Sequence, residues 1–536
     1  MATGHCILVP GFLRAAAEGS VAVIRILHPS ERTGYGAVLV LAVLSRAAHL
    51  AGYFLSPVSR LYYWPVLAAA RFETAAKALA AGSAGSGPFV YASPLYRFLI
   101  LPFYAAGLER TGLFLLQSAL GVCTALLLYR TARRIGVPAA ASMAACFVWI
   151  LYAPAVFFEL TVLPVSMLTF LTLLFVWAGV TGRIDTLPGA LLAGLAVAVV
   201  TGLRPPMLLL GAWPLVHWLR RRSYRLLLAG SAAFLLPILF LSWQQCRAGG
   251  GFTPFPRATG LNLVLGHAEG VTGYGPPVES EGLVETSTED IHQVAARVAA
   301  ERGFTTPGEA DSYWLSRALS WALGHPADEA RLIMVKLGGF LGGRAFDTYY
   351  DMGRLGRFSA AIRAHIVPRL LLVALFLAGL VGFLRKGSGF RWLMMLPVAV
   401  SAASSLIFVH CERFSLPVIP EMLLVGISGL TVAFGGPGKP RAKSIVPLLL
   451  GLLLLVPGFV WPVPTVPEGM YVYSLGIRAF CMGDYELSLE LFSRAGVLCP
   501  EGSVLWVESH RQAAAIAEAL GDRELAAGHR RIIEGY

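Results

Sequence analysis

No CxxC pair occurs anywhere in the chain, and seven cysteines spread over 536 residues are too few and too scattered for a disulfide framework or a cysteine zinc site. Charge is scarce as well. Only 14% of residues are charged while 56% are apolar, and the mean hydropathy is +0.66, a balance that excludes an ordinary water-soluble domain of this length. The apolar stretch before residue 36 is broken by Glu18 and Arg25 and lacks a small-residue cleavage site, so it does not read as a cleavable signal. No long basic tract is present either: the net charge of +12 falls in short clusters between apolar runs, the pattern of a membrane protein's orientation signals, and no nucleic-acid partner is expected.

What the chain does have is apolar runs. They begin near residues 36, 113, 137, 160, 187, 206, 226, 366, 391, 415 and 445, and predict an all-α polytopic membrane protein of about eleven transmembrane helices. With residues 1–35 on the cytoplasmic side, alternate loops place Arg130, Arg133 and Arg134, then Arg220, Arg221, Arg222 and Arg225, then Arg385, Lys386 and Arg391, and finally Lys439, Arg441 and Lys443 inside. The run 207–218 is the shortest of the set. This scheme puts the C-terminus outside a bacterial-type cytoplasmic (inner) membrane, and leaves three larger outer segments, about 56–111, 244–365 and everything after 463.

Residues 66–79 predict an amphipathic helix on the membrane surface, with Val66, Ala69, Ala70, Phe72 and Leu79 set among Arg71, Glu73 and Lys77. GSAGSG at 82–87 breaks it, and SPLY at 93–96 opens a second apolar stretch. The 244–365 segment predicts helices near 313–323 and 327–341, parted by Gly324 and Pro326, within a small subdomain capping the membrane face. In 466–536, Leu475, Gly476, Gly483, Phe492, Ala495 and Pro500 stand at tetratricopeptide spacing, with Ser488 at a small-residue position. A second GDxEL begins at Gly521, so two helix pairs are expected, leaning on the rest of the chain or on a protein partner. If they lie outside, Cys481 and Cys499 occupy an oxidising compartment where they could be bridged.

Several segments follow one another in a telling order: PLY at 94–96, LLQSALGVCTALLLYRTARRIG from 115, FFELTVLPVSMLTF at 157–170, LRPP at 203–206, LNLVLGHAEGVTG at 261–273 and ERFSLPVIP at 412–420. In that order they resemble the GT-C membrane glycosyltransferases, in particular bacterial relatives of the dolichyl-phosphate-mannose protein mannosyltransferases (glycosyltransferase family 39) that carry C-terminal tetratricopeptide repeats. The resemblance runs from about residue 36 to the C-terminus and makes 36–463 a GT-C-like transmembrane domain. It implies transfer of a sugar from a polyprenyl-phosphate carrier to a protein or glycan acceptor at the outer face. A catalytically silent relative whose repeats organise surface-glycan or glycoprotein assembly is the alternative; a transporter is disfavoured because the central runs are almost free of charge.

Glycosyl transfer of this kind needs a carboxylate to activate the acceptor and cationic help for the departing phosphate. The family's pattern places its acid at Ala68, which has no proton-transfer group. Glu73 is the nearest acid, about one and a half turns on and rotated by roughly 140°. Glu159 in FFEL is a second candidate, expected at an outer helix end. Arg204 in LRPP and Arg413, which matches the arginine of an aromatic-rich RYRLP-like segment in the family, are candidates to hold the lipid phosphate. Asn262 and Gly266 match the family's asparagine and glycine positions in a turn-rich stretch, while His267 stands where a second asparagine is usual. No cofactor is assigned. A divalent cation is a candidate near His410, Cys411 and Glu412, although adjacent residues rarely converge on one ion.

Overall fold

The computed structural model of the chain describes residues 31–55, 68–83, 93, 95–275, 278–284, 289–348, 350–385, 389–434, 449, 451–460 and 467–534. Residues 1–30, most of GSAGSG, the basic cluster at 439–443 and the start of the eleventh apolar run lie outside the described residues. Within them the chain is helical, with two isolated β-bridges and no strand.

Among the described residues, four helices are long and apolar enough to cross a bilayer: Arg32–Phe54, Glu109–Arg134, Tyr224–Arg247 and Glu412–Phe434. The pair Ala153–Leu160 and Val165–Val180, bent by 118°, raises the number to five if it forms one span. That is fewer than the eleven expected. For the runs that are described, the difference is one of helix length, because apolar runs of spanning size are divided by proline and by turns. Ala139–Ile150 has 12 residues, about 18 Å at 1.5 Å per residue, against a hydrocarbon core of about 30 Å. Leu187–Leu203 ends where Pro205 and Pro206 follow, and the 207–218 run is a 3-10 turn, Pro205–Gly211, joined to the nine-residue helix Ala212–Arg220. Arg391–Ile407 is another shorter apolar helix. Outward faces of the longer helices remain apolar: Leu228 and Leu236 on Tyr224–Arg247 are each 70% exposed, as side chains meeting lipid would be.

The bend before Val165–Val180 has a clear cause. Pro164 starts the second helix, and the carbonyls left without helical donors at Glu159 and Thr161 each accept from Gln117 Nε2, at 3.2 and 2.9 Å. Elsewhere helices meet through small residues. Gly379 and Gly382 of Arg369–Arg385 lie against the backbone of Gly426 and Gly429 on Ile419–Phe434, so that a Cβ at Gly379 or Gly429 would overlap the facing carbonyl.

Among the described residues, the three largest hydrophobic cores are separate. The largest joins the membrane helices to the surface helix Ala68–Ala80. A second, from Leu261 to Leu332, belongs to a separate helical cap and holds Ile291–Glu301 against Pro307–Gly324 around Trp314. The cap helices expected near 313–323 and 327–341 are Pro307–Gly324 and Pro326–Phe340, the first starting six residues early where Thr306 caps it. The third core, around Tyr473, Phe492 and Ala513, joins the C-terminal helices Glu468–Cys481, Tyr485–Leu498 and Val504–Ala519, which a fourth, Arg523–Glu534, follows. Gly476 faces the Phe492 ring, and Ser488 Oγ donates to Gly476 O at 2.9 Å. This unit rests on the chain before it: Arg354 lies 4.3 Å from the Tyr471 ring centroid. Cys481 and Cys499 are not bridged to each other, which corrects the suggested bond. They end two antiparallel helices and so stand at opposite ends of the pair, with Cys499 beside Gly469.

Candidate functional site

LRPP and SPLY come together first. A residue preceding proline is pushed out of helical geometry, and Arg204 takes φ −151°, ψ 104°, ending Leu187–Leu203. The carbonyls freed at that end are met by the other motif: Ser93 Oγ donates to Leu203 O at 2.6 Å and Leu95 N donates to Gly202 O at 3.1 Å. Arg204 is thereby turned aside from the helix and becomes part of the wall of a cavity of about 540 Å³.

That cavity lies between Leu187–Leu203, the helix Ala68–Ala80 and the cap, and Arg204, Arg413 and Asn262 all line it. The three residues expected to bind substrate thus share one site, although up to 209 residues separate them in sequence (413 − 204). Its walls are mostly apolar, with Leu163, Leu168, Leu203 and Phe255 among them. Arg71, Asp290 and His292 add polar groups that sequence reasoning did not single out. Arg71 had been placed on the amphipathic helix without a role; Asp290 carries a helix-start pattern, D-x-x-Q, and nothing more.

The arginines differ in how they are neutralised. Arg71 pairs with Asp290, and Arg413 Nη1 lies 2.8 Å from Asp347 Oδ1. Arg204 Nη1 donates to Phe414 O at 2.6 Å, and its guanidinium sits 4.4 Å from the Phe414 ring centroid. Among the described residues no carboxylate pairs with it. Asp290 is the one carboxylate in the described lining, against three guanidinium groups. It is also fully engaged: Oδ1 accepts from His292 N and Gln293 N at 2.9 and 3.0 Å, and Oδ2 takes Arg71. The cavity therefore carries uncompensated positive charge inside apolar walls, a setting suited to an anion with a hydrocarbon part.

Neither expected base reaches it. Glu73, 3% exposed, is held by Arg110 at 2.7 Å and Lys77 at 3.0 Å. Burial raises its carboxyl, but hydrogen bonds and charge from Arg110 and Lys77 outweigh that and leave it below the ordinary glutamate range, a weaker proton acceptor. Glu159 is not at an exposed helix end. It is buried in the bend, where Arg46 Nη2 meets Oε1 at 2.7 Å and Arg46 Nε reaches both oxygens, in room that Gly121 leaves by lacking a side chain. Both acids face guanidinium groups instead of the cavity. The helix carrying Glu73 begins at Ala68.

LNLVLGHAEG divides between site and scaffold. Asn262 lines the cavity from the short helix Thr259–Val264, which Asp311 Oδ1 anchors at Gly260 N, 2.6 Å. Gly266 packs on the Phe408 carbonyl, where a Cβ would clash. His267 is structural: Nδ1 is 2.8 Å from Glu329, and Nε2 is 2.6 Å from Ile407 O and 3.0 Å from Lys336 Nζ. Lys336 also donates to Leu406 O at 3.2 Å, and burial, partly offset by Glu329, lowers it to about 8. Together they fasten the cap to the carbonyl end of Arg391–Ile407.

The HCER segment is likewise built into the scaffold. Glu412 takes Arg369 at 2.5 Å and the Tyr152 hydroxyl at 2.6 Å, while the His410 ring packs between Tyr274 and Phe340. Among the described residues no three His, Cys, Asp or Glu side chains converge as a metal site. Comparison with known proteins adds no identity: no family model, curated protein or solved structure matches the chain.

Proposed function

We propose that the chain is a membrane glycosyltransferase that binds a polyprenyl-phosphate sugar in the arginine-lined cavity and transfers the sugar to a protein or glycan acceptor at the outer face. In this reading the N-terminus lies inside and the C-terminal helices outside, with the tetratricopeptide-like unit as a docking point for a protein partner. The observation that carries it is Arg204, a guanidinium without a carboxylate partner among the described residues, set in an apolar cavity beside Arg413 and Asn262. A phosphate would accept from that guanidinium and the apolar walls would hold the start of the prenyl chain. The GT-C-like arrangement implied by the order of the motifs agrees with this use of LRPP and ERFSLP.

One observation favours a second reading. Glu73 and Glu159 are both consumed in ion pairs away from the cavity, and alanine occupies the family's acidic position. A silent relative that binds the lipid carrier and organises assembly would look the same at Arg204. The test uses the purified full chain in lipid nanodiscs, first with undecaprenyl phosphate and then with polyprenyl-phosphate hexoses and pentoses. Saturable carrier binding with release of carrier from at least one donor supports the enzyme. Binding without release supports the silent relative, and absence of binding refutes both.

A further inference from the structure

A second cavity, of about 290 Å³, adjoins the first. Tyr152, Arg344, Asp347, Tyr350 and Asp351 are among its lining residues, and Tyr350 lines both cavities. The rings of Phe157 and Phe158 hold Tyr350 in place, with centroids 4.9 and 6.0 Å away, which gives FFEL a part in shaping the wall. Burial pushes the Tyr350 phenol up to about 12, so it stays a hydrogen-bond donor at neutral pH.

Asp347 joins the two spaces. It lines the smaller cavity, is 2% exposed, and its Oδ1 accepts from Arg413 Nη1 at 2.8 Å, while Arg413 lines the larger one. A carboxylate thus stands on one side of the shared wall and its arginine partner on the other. Carboxylates and phenols in a space of this size suit a sugar ring, whose hydroxyls donate to the acids and accept from the tyrosines.

On the strength of the glycosyl-transfer reading, we infer that the smaller cavity is the acceptor site, that it takes a sugar hydroxyl, and that Asp347 removes the proton. The acceptor oxygen forms a bond to the anomeric carbon as the bond from that carbon to the carrier phosphate oxygen breaks. The hydroxyl proton passes to the Asp347 carboxylate, and the electron pair of the broken bond leaves with the phosphate, facing Arg413 and Arg204. Asp290 is less suited, because it lines the larger cavity and not the smaller one.

The full chain in nanodiscs, polyprenyl-phosphate hexoses as donors, and methyl glycosides or a serine peptide as acceptors provide the test. Asp347→Asn should keep undecaprenyl phosphate affinity within about threefold and lower kcat for transfer by a hundredfold or more, the usual loss with a general base; Asp347→Glu should recover part of it. Gly353→Trp is the second variant, in case loss of the Arg413 pair unsettles the fold. Gly353 is an exposed lining residue of the smaller cavity, and a Cβ there would meet only Asp351 Oδ1, at 3.2 Å. It should raise the acceptor KM tenfold or more with carrier affinity unchanged. If wild type binds no undecaprenyl phosphate, the glycosyl-transfer reading itself fails. If wild type transfers sugar and Asp347→Asn or Gly353→Trp, folded, does so equally well, the inference alone fails. Binding without transfer overturns it too, and transfer to the peptide but to no glycoside overturns the assignment of the acceptor.

Discussion

Replacing Arg204 by alanine is the sharpest perturbation of the larger cavity, because its contacts separate binding from folding. Its described polar contacts are one hydrogen bond to the Phe414 carbonyl and the stacking on the Phe414 ring. Alanine would leave the Phe414 carbonyl with Ser401 Oγ, at 2.8 Å, as its donor, so the cost should be that of one hydrogen bond, about 0.5 to 1.5 kcal/mol, and no buried carboxylate would be stranded. A hydrogen bond to a charged group contributes about 1.5 to 3 kcal/mol, so losing one contact to a phosphate should weaken undecaprenyl phosphate binding by roughly 10- to 150-fold. Lysine restores the charge without the planar fork and should recover only part. Arg413→Ala is the contrasting case. It leaves Asp347, 2% exposed, without its 2.8 Å partner, and breaking such a pair costs about 3 to 5 kcal/mol. Arg413→Ala should therefore lower thermal stability more than Arg204→Ala, while both weaken the carrier. Titration of the purified variants with undecaprenyl phosphate, alongside thermal unfolding in the same nanodiscs, measures the two effects. Unchanged affinity in a folded Arg204→Ala protein would show that the phosphate does not sit there.

Glu159→Gln should destabilise the membrane domain by about 3 to 5 kcal/mol, since Arg46 would keep its charge, 3% exposed, without the facing carboxylate; an unchanged unfolding temperature would contradict this. Glu73→Gln, folded, should lower turnover less than threefold, and a hundredfold loss would return Glu73 to the role of base. The same residue predicts a pH effect. Its carboxyl is held below the unfolded value, so its contribution is complete above the ordinary glutamate range and is lost as pH falls through the lower, folded value. Hydrogen exchange in Ala68–Ala80 should rise over that interval in wild type, and the Glu73→Gln protein should lack that component. Gly429→Leu should force Ile419–Phe434 away from Arg369–Arg385 and cut the yield of folded protein severely, whereas Gly36→Leu, at a position with no neighbouring atoms within 4 Å, should be tolerated.

Much of the scaffold was legible because its signals are local. The amphipathic stretch, the helices near 313–323 and 327–341 and the C-terminal helix pairs each declare themselves within a few residues, whereas the capping boxes at Asp290 and Thr306 went unread. The span count was less legible for a physical reason: apolar length measures what lipid will accept, whereas helix length also depends on where prolines and internal hydrogen bonds interrupt the chain. The 160–180 run shows this, since Gln117 supplies the donors that permit a bend no hydropathy window can register.

The site follows the same division. Arg204 could be singled out from sequence because the following prolines dictate its backbone, and an arginine forced out of a helix end must point somewhere new. Glu73 and Glu159 were singled out by type and position alone. What decides their roles is their partners, Arg110, Lys77 and Arg46, supplied from elsewhere in the chain, which a linear reading does not weigh. Asp347 was missed for the complementary reason. In FDTYYDMG it resembles any acidic turn residue, and its importance lies in an arginine 66 positions later and in a tyrosine whose ring borders two cavities. An acid's chemistry is set by which cation shares it and which cavity it meets; both are properties of the folded chain, and here they distinguish Asp347 from the two acids that the sequence made conspicuous.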